Sequence, residues 1–125
     1  MAEVEQQPEK PEFVHPGAGE IELPAVLHAL SDPQRLRIVR ELATSEEPLP
    51  CGSFALEISK STRTHHFRVL REAGLIEQRR EGTSRLSTLR SEDLDARFPG
   101  LLDAVLSGAR GQADQGRRER SVLRT

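Results

Sequence analysis

Short runs of apolar residues at helical spacing, each bounded by residues that break helices, limit what this chain can fold into. An apolar stripe that starts at Leu23 and recurs three, four and seven residues later predicts a helix over about 21–30. A second stripe predicts a helix over about 33–44, which the capping residue Asp32 and Pro33 would open. The chain has four Phe and no Trp or Tyr, so aliphatic residues must build its core. We therefore expect a mainly α-helical fold.

The middle of the chain breaks this pattern and then resumes it. The Pro- and Gly-containing segment 45–52 predicts a connection, because proline lacks a backbone donor and restricts the residue before it. The apolar segment 53–58 is long enough for two helical turns. A further helix is expected over about 61–73, with Gly74 placed to end it.

A small β-hairpin is expected next. Segments 75–80 and 84–89 mix polar and apolar residues on either side of Gly82, which can adopt the positive φ of a tight turn. Helical spacing then returns between 91 and 106, and Pro99 is expected to kink or restart that helix.

Both ends of the chain have compositions that bury little apolar surface. We expect flexible tails over 1–19 and 108–125, flanking one domain over 20–107, since 125 residues suit a single core. The sequence contains neither a run of about 20 apolar residues nor a secretory signal. We therefore expect a cytoplasmic protein with no membrane partner.

Charge is segregated along the chain, although the formal net charge is only -2. Residues 1–24 contain six Glu and one Lys, whereas residues 60–90 contain eight Lys and Arg against three Glu. A basic segment within an acidic chain is typical of a nucleic-acid-binding surface.

The order of the elements points to the same function. Two short helices with a tight connection, followed by a basic hairpin, form a winged helix-turn-helix, in which the second helix fits the major groove of DNA. On the helix over 61–73, the polar residues lie opposite Phe67 and Leu70 and are free to meet DNA. His66 lies beside the inner face and is predicted to pack. The predicted DNA contacts are Ser59, Lys60, Ser61, Thr62, Arg63, Thr64, His65 and Arg68 on the helix and Arg79, Arg80 and Arg85 on the wing.

These residues suit two kinds of contact. Lys60 and its neighbouring hydroxyls are expected to hold phosphates, whereas Arg63 and Arg68 suit either a phosphate or the edge of a guanine. The wing arginines can straddle the DNA backbone or enter a minor groove. The alternative is an ordinary solvated helix face and a charged hairpin edge that discourages aggregation.

Three segments of the chain closely resemble the ArsR/SmtB family of bacterial repressors. They are LSDPQRLRI (30–38), STRTHHFRVLREAGLI (61–76) and RREG (79–82). The resemblance covers about residues 22–106 and implies a winged helix domain that dimerises through its first and last helices. It also implies repression of promoters, with release of DNA when an effector binds.

The chain departs from the metal-sensing members of that family. Those members carry paired cysteines in the first helix of the helix-turn-helix, or Asp and His ligands in the last helix. This chain has Cys51 alone, which cannot form an internal disulfide, and no His in its last helix. We expect no metal and no cofactor, and we leave open a redox role for Cys51. Arg63 also stands where the family typically has an apolar residue.

Two other functions remain as alternatives. The same helices can serve protein contact, in which case any binding of nucleic acid would depend weakly on salt. An enzyme would need Cys51 and a histidine as nucleophile and base, but the sequence has no acid-base motif or Gly-rich phosphate loop. We therefore expect a DNA-binding transcriptional regulator, a homodimeric repressor that binds double-stranded operator DNA, with an effector that the sequence does not identify.

Overall fold

The computed structural model describes the backbone of residues 13–54, 56 and 58–124, and the side chains of these residues as far as 112. Within this part of the chain, five α-helices surround a small antiparallel sheet. The elements are α1 (Leu23–Leu30), α2 (Pro33–Thr44), β1 (Leu49–Pro50), α3 (Lys60–Ala73), β2 (Ile76–Glu81), β3 (Ser84–Leu89), α4 (Ser91–Arg97) and α5 (Leu101–Arg124). Short 3₁₀ turns occupy Ala18–Glu20 and Cys51–Ser53.

Local capping explains where the helices begin and end. The Asp32 carboxylate accepts hydrogen bonds from the backbone of Gln34 and Arg35 at 2.8 and 3.2 Å, which satisfies free donors at the start of α2. Ser59 caps α3 in the same way, and Gly74 ends α3 with a φ of 91°. The helices predicted over 21–30, 33–44 and 61–73 are therefore confirmed, as is the break that separates α4 from α5.

The predicted hairpin is also confirmed. The β2 and β3 strands are joined by a two-residue turn in which Gly82 has a φ of 63°. The sheet order is β1-β3-β2, so β2 lies at one edge. The β1 strand was not predicted: Leu49 and Pro50 pair with Ser87 and Leu86 of β3 inside the segment expected to be only a connection.

The helix expected over 53–58 is not present among the residues described there. Phe54 and Leu56 are buried and Ile58 packs against the core, so alternate residues point inward as they do in an extended chain. Phe54 has extended backbone angles, with φ -83° and ψ 126°. A two-turn helix gains few backbone hydrogen bonds, so burying these three side chains decides the local conformation.

The structure describes parts of the two segments that are predicted to be flexible tails. The α5 helix continues through 108–124, a stretch without proline and rich in residues that favour helices. At the other end, His15 and Pro16 accept hydrogen bonds from Gln78 and Arg90. Residues 1–12 lie outside the described part of the chain.

A single core joins the helices to the base of the hairpin. Ile21, Ile38, Leu70, Leu75 and Ile76 are its largest fully enclosed aliphatic side chains. Burying such side chains contributes about 1.5–3 kcal/mol each. Within the described residues, no helix is long and apolar enough to cross a membrane.

We predict that Gly74→Ala destabilises the fold by about 2–5 kcal/mol, because it combines left-handed strain with overpacking. A Cβ at Gly74 would lie 2.6 Å from Cγ1 of Ile21, and the Ile21 side chain is enclosed in the core. Gly100→Ala is the matched control, since Gly100 also has a positive φ but open space around its Cβ. Denaturant unfolding should show the larger loss for Gly74→Ala. Equal losses would mean that the contact with Ile21 is unimportant.

Candidate nucleic-acid interface

A groove of about 950 Å³ lies between α3 and the hairpin, and we call it the basic groove. Both elements supply cations to its walls, and no Asp or Glu is among the described residues that line it. Thr64, Thr83 and Ser84 add hydroxyl groups. The lining cations are Lys60, Arg63, Arg68, Arg71, Arg80 and Arg85.

The strand register decides which wing arginines face this groove. Arg80 lies directly opposite Arg85, and both share a sheet face with Gln78, because alternate residues of a strand point the same way. The Gln78 side chain contacts α3, so this face looks toward the helix. Arg79 lies on the other face, with its Nη2 3.4 Å from a carboxylate oxygen of Glu81. The structure therefore brings Arg80 and Arg85 into the groove and leaves Arg79 outside it.

The α3 helix presents the polar face that its sequence predicted. Thr64, His65 and Arg68 are exposed, whereas Phe67 is buried and packs edge-on against Phe54 at a centroid distance of 5.4 Å. Arg63 is half-buried, and its Nε is enclosed with no hydrogen-bond partner in the described part of the chain. Lys60, Thr64 and Arg68 thus line the groove with freely accessible side chains.

Three predicted contact residues form a hydroxyl cluster at the start of α3 and lie outside the groove. The Ser59 hydroxyl accepts from the Thr62 backbone at 3.2 Å and donates to the Thr62 Oγ1 at 2.8 Å. The Ser61 Oγ lies 3.2 Å from the same Ser59 oxygen. All three residues are exposed at a helix N-terminus, where the helix dipole favours an anion.

The prediction from sequence missed Arg71, although its place on α3, three residues after Arg68, suggested the same side of the helix. Its Nη1 donates to the Gln78 Oε1 at 2.7 Å, and the Gln78 amide in turn donates to Ser87 and to the Cys51 sulfur at 3.2 and 3.5 Å. Burial lowers the pKa of the Arg71 guanidinium, and the nearby Arg68 and Arg85 charges act in the same direction. Cys51 is half-buried in this network, at the floor of the groove.

A buried arginine fixes α3 from its other side. Arg35 is 6% exposed and donates to the backbone carbonyls of Ala29 and His28 at 2.7 and 3.2 Å. Its Nη1 also lies 3.2 Å from Nδ1 of His66 on α3. An arginine only donates, so Nδ1 must accept, and a neutral His66 therefore carries its proton on Nε2. His66 is buried, so the prediction that it packs is confirmed.

The α2 and α3 helices followed directly by the basic β2–β3 hairpin are the arrangement of the winged helix-turn-helix class of DNA-binding proteins. A family described as a helix-turn-helix domain matches residues 30–79. The chain is 37% identical over 82 residues to the uncharacterized HTH-type transcriptional regulator YceK of Bacillus subtilis strain 168. This match covers 64% of the chain and 82% of YceK.

Solved structures agree with this class. HlyU from Vibrio cholerae N16961 is 30% identical, with a TM-score of 0.51 over 59% of this chain and 80% of its own. The transcriptional repressor BigR from Xylella fastidiosa is 28% identical, with a TM-score of 0.53 over 67% of this chain and 82% of its own. An ArsR-like regulator from Rhodococcus sp. RHA1 shares the fold at 23% identity, with a TM-score of 0.50 over 81% of this chain and 89% of its own. The chain belongs to the HTH-type transcriptional regulators, which bind DNA, and it shares the fold of a regulator described as ArsR-like.

The contact between Arg35 and His66 predicts a dependence of stability on pH. Burial lowers the pKa of His66 below its ordinary value, while Asp32 opposes this shift and Arg35 adds to it. The unfolded chain then binds the proton more readily, so stability should fall as the pH drops through about 6.5. In His66→Asn the side-chain oxygen can still accept from Arg35. Unfolding midpoints measured between pH 5 and pH 8 should therefore vary less in this variant than in the wild type.

His15 should also lower the stability of the fold as the pH drops, because burial lowers the pKa of His15 as well. A double variant, His15→Asn with His66→Asn, should therefore be flatter than either single variant. If His66→Asn keeps the pH dependence of the wild type, a group other than His66 causes that dependence.

Proposed function

We propose that the chain binds operator DNA sequence-specifically, with α3 in the major groove and the hairpin against the adjacent backbone. The observation that carries this proposal is the composition of the basic groove: six cations line it, and no carboxylate is among its described lining residues. Phosphate groups and guanine edges are the partners that such a surface recognises.

The residues divide by role. Arg68 is exposed on the groove side of α3 and is assigned to a base edge, while Lys60 and the hydroxyls of Ser59, Ser61 and Thr62 hold phosphates. Thr64 and His65 lie on the same exposed face and complete the contact with the major groove. Arg63 is half-buried and acts from the floor of the groove, beneath the DNA.

The wing contributes Arg80 and Arg85 as phosphate contacts. These two like charges lie directly opposite each other across the hairpin, and both line the basic groove. Arg79 faces away from the groove, so we propose only a long-range electrostatic role for it. Arg71 joins the wing to α3 through Gln78 and adds its charge to the groove.

The protein acts as a repressor in this proposal, and its similarity to the transcriptional repressor BigR supports that role. We propose that no metal regulates it through Cys51, because a single thiolate leaves too many metal positions to water. Within the described residues, no cluster of three or more His, Cys, Asp and Glu is arranged to hold a metal.

We also propose that the chain works as a homodimer through α1 and α5. Leu23 and Leu27 of α1 are 40% and 47% exposed and lie one helical turn apart on one face. The apolar stripe predicted from sequence is therefore divided, with Val26 and Leu30 in the core and two leucines outside it. A twofold pair would present two α3 helices to half-sites about one helical turn apart on the DNA.

Replacing both exposed leucines, Leu23→Glu with Leu27→Glu, should convert a dimer into a monomer, because a twofold contact would bring the new charges together. Sedimentation at micromolar concentration measures the change. Val14→Glu is the control, since Val14 is 68% exposed and lies outside α1. A wild-type chain that sediments as a monomer with and without DNA would remove the dimer from the proposal.

Base contact and phosphate contact are distinguished by comparing Arg68→Ala with Arg85→Ala. Loss of a bidentate base contact should cost about 1–3 kcal/mol on the operator and relax preference at one base pair. Loss of a phosphate contact should weaken all sequences alike and reduce the salt slope by about one. Titrations on operator and scrambled DNA at several salt concentrations measure both effects.

Arg79→Ala is the matched control for the wing, since it removes the same charge from the opposite face of the hairpin. It should weaken binding clearly less than Arg85→Ala. Wild-type affinity in both Arg68→Ala and Arg85→Ala would exclude the basic groove as the DNA-binding surface.

A further inference from the structure

We propose that the acidic N-terminal segment, residues 1–12, binds the basic groove of its own chain and competes with DNA for it. This inference rests on the DNA-binding function proposed above. Three observations support binding of this segment to the groove.

The first observation is where the described chain begins. Phe13 is one of the residues that line the basic groove, and the Arg71 guanidinium lies 5.2 Å from the centre of its ring. A cation placed over an aromatic face is attracted to it. The residue that immediately follows the acidic segment is therefore held inside the groove.

The second observation is that two hydrogen bonds hold the next residues along the edge of the sheet. The His15 Nε2 accepts from the Gln78 backbone at 3.0 Å, and the Pro16 carbonyl accepts from the Arg90 Nη1 at 2.8 Å. Because β2 is the edge strand, these contacts attach the chain to the wing itself. With His15 and Pro16 held in this way, the chain enters the groove at Phe13.

The third observation is charge complementarity. Residues 1–12 contain four Glu and one Lys, while the groove offers six cations and no carboxylate among its described lining residues. An extended segment of this length reaches about 40 Å, which exceeds the length of a short helix. The tether also gives the segment an effective concentration in the millimolar range, so even weak attraction fills the groove.

Competition of this kind lowers the apparent affinity for every DNA sequence by the same factor. That factor is the inverse of the fraction of chains whose groove is open. If the segment fills the groove about nine-tenths of the time, DNA binds about tenfold more weakly than it would to an open groove. The effect is uniform across sequences, unlike the loss of a base contact.

The first test neutralises the segment in the full chain through Glu3→Gln, Glu5→Gln, Glu9→Gln and Glu12→Gln together. We expect about tenfold tighter binding at low salt, equally on operator and scrambled DNA, with the gain shrinking as salt rises. The control neutralises four exposed carboxylates away from the groove, at Glu22, Glu46, Glu47 and Glu92, and changes the net charge by the same amount. Equal gains in the two variants would overturn the inference, because general electrostatics would then explain both.

The second test uses Cys51, which lines the groove and is the only cysteine in the sequence. In Glu9→Cys, oxidised glutathione takes two electrons and two protons from the thiol pair and leaves a disulfide within one chain. We expect this bond to form, to weaken DNA binding, and to be reversed by a reducing agent. The control is Glu92→Cys, which places the second thiol away from the groove.

The outcomes separate the two proposals. A Glu9→Cys chain that forms no disulfide with Cys51, or forms it only between two chains, overturns the assignment of the segment to its own groove. The DNA-binding proposal fails on different results, the wild-type affinity of Arg68→Ala and Arg85→Ala. The binding of the segment is therefore tested by its charge and its proximity to Cys51, whereas DNA binding by the groove is tested by its arginines.

Discussion

The position of α3 depends on the buried guanidinium of Arg35. A buried charge is costly unless hydrogen bonds satisfy it, and here the carbonyls of His28 and Ala29 accept at the negative end of the α1 dipole. The same group donates to His66 on α3. Hydrogen bonds are directional, so Arg35 sets the orientation of α3 against α1 more narrowly than apolar packing alone would do.

The wing is positioned from α3 outward. Gly74 ends the helix in a left-handed conformation, its close approach to Ile21 also excludes a Cβ, and β2 begins two residues later. The hydrogen bond between Arg71 and Gln78 then joins the hairpin to the helix at 2.7 Å. Because the register of the hairpin places Arg80 and Arg85 on the same face as Gln78, the face that Gln78 holds against α3 also carries these two arginines.

Local signals predicted the elements, and long-range contacts account for what they missed. The Asp32 and Ser59 caps, the apolar stripes and Gly82 are all readable within a few residues, so α2, α3 and the hairpin followed from sequence. Predicting that Arg80 faces the groove and Arg79 faces away from it requires the strand register and the knowledge of which sheet face packs against α3. The contact between His15 and Gln78 spans 63 residues and has no local pattern, so composition alone could not predict it.

The overall charge of the chain is a poor guide to its function because the two signs occupy different places. A net charge of -2 includes a groove that six cations line, with no carboxylate among its described lining residues. Such a surface attracts anions, and DNA is the partner that the family membership supplies. The acidic segment attached at Phe13 is a second anion, present in every chain at fixed stoichiometry. The N-terminal glutamates that make the net charge negative are then the same residues that would compete with DNA for the groove.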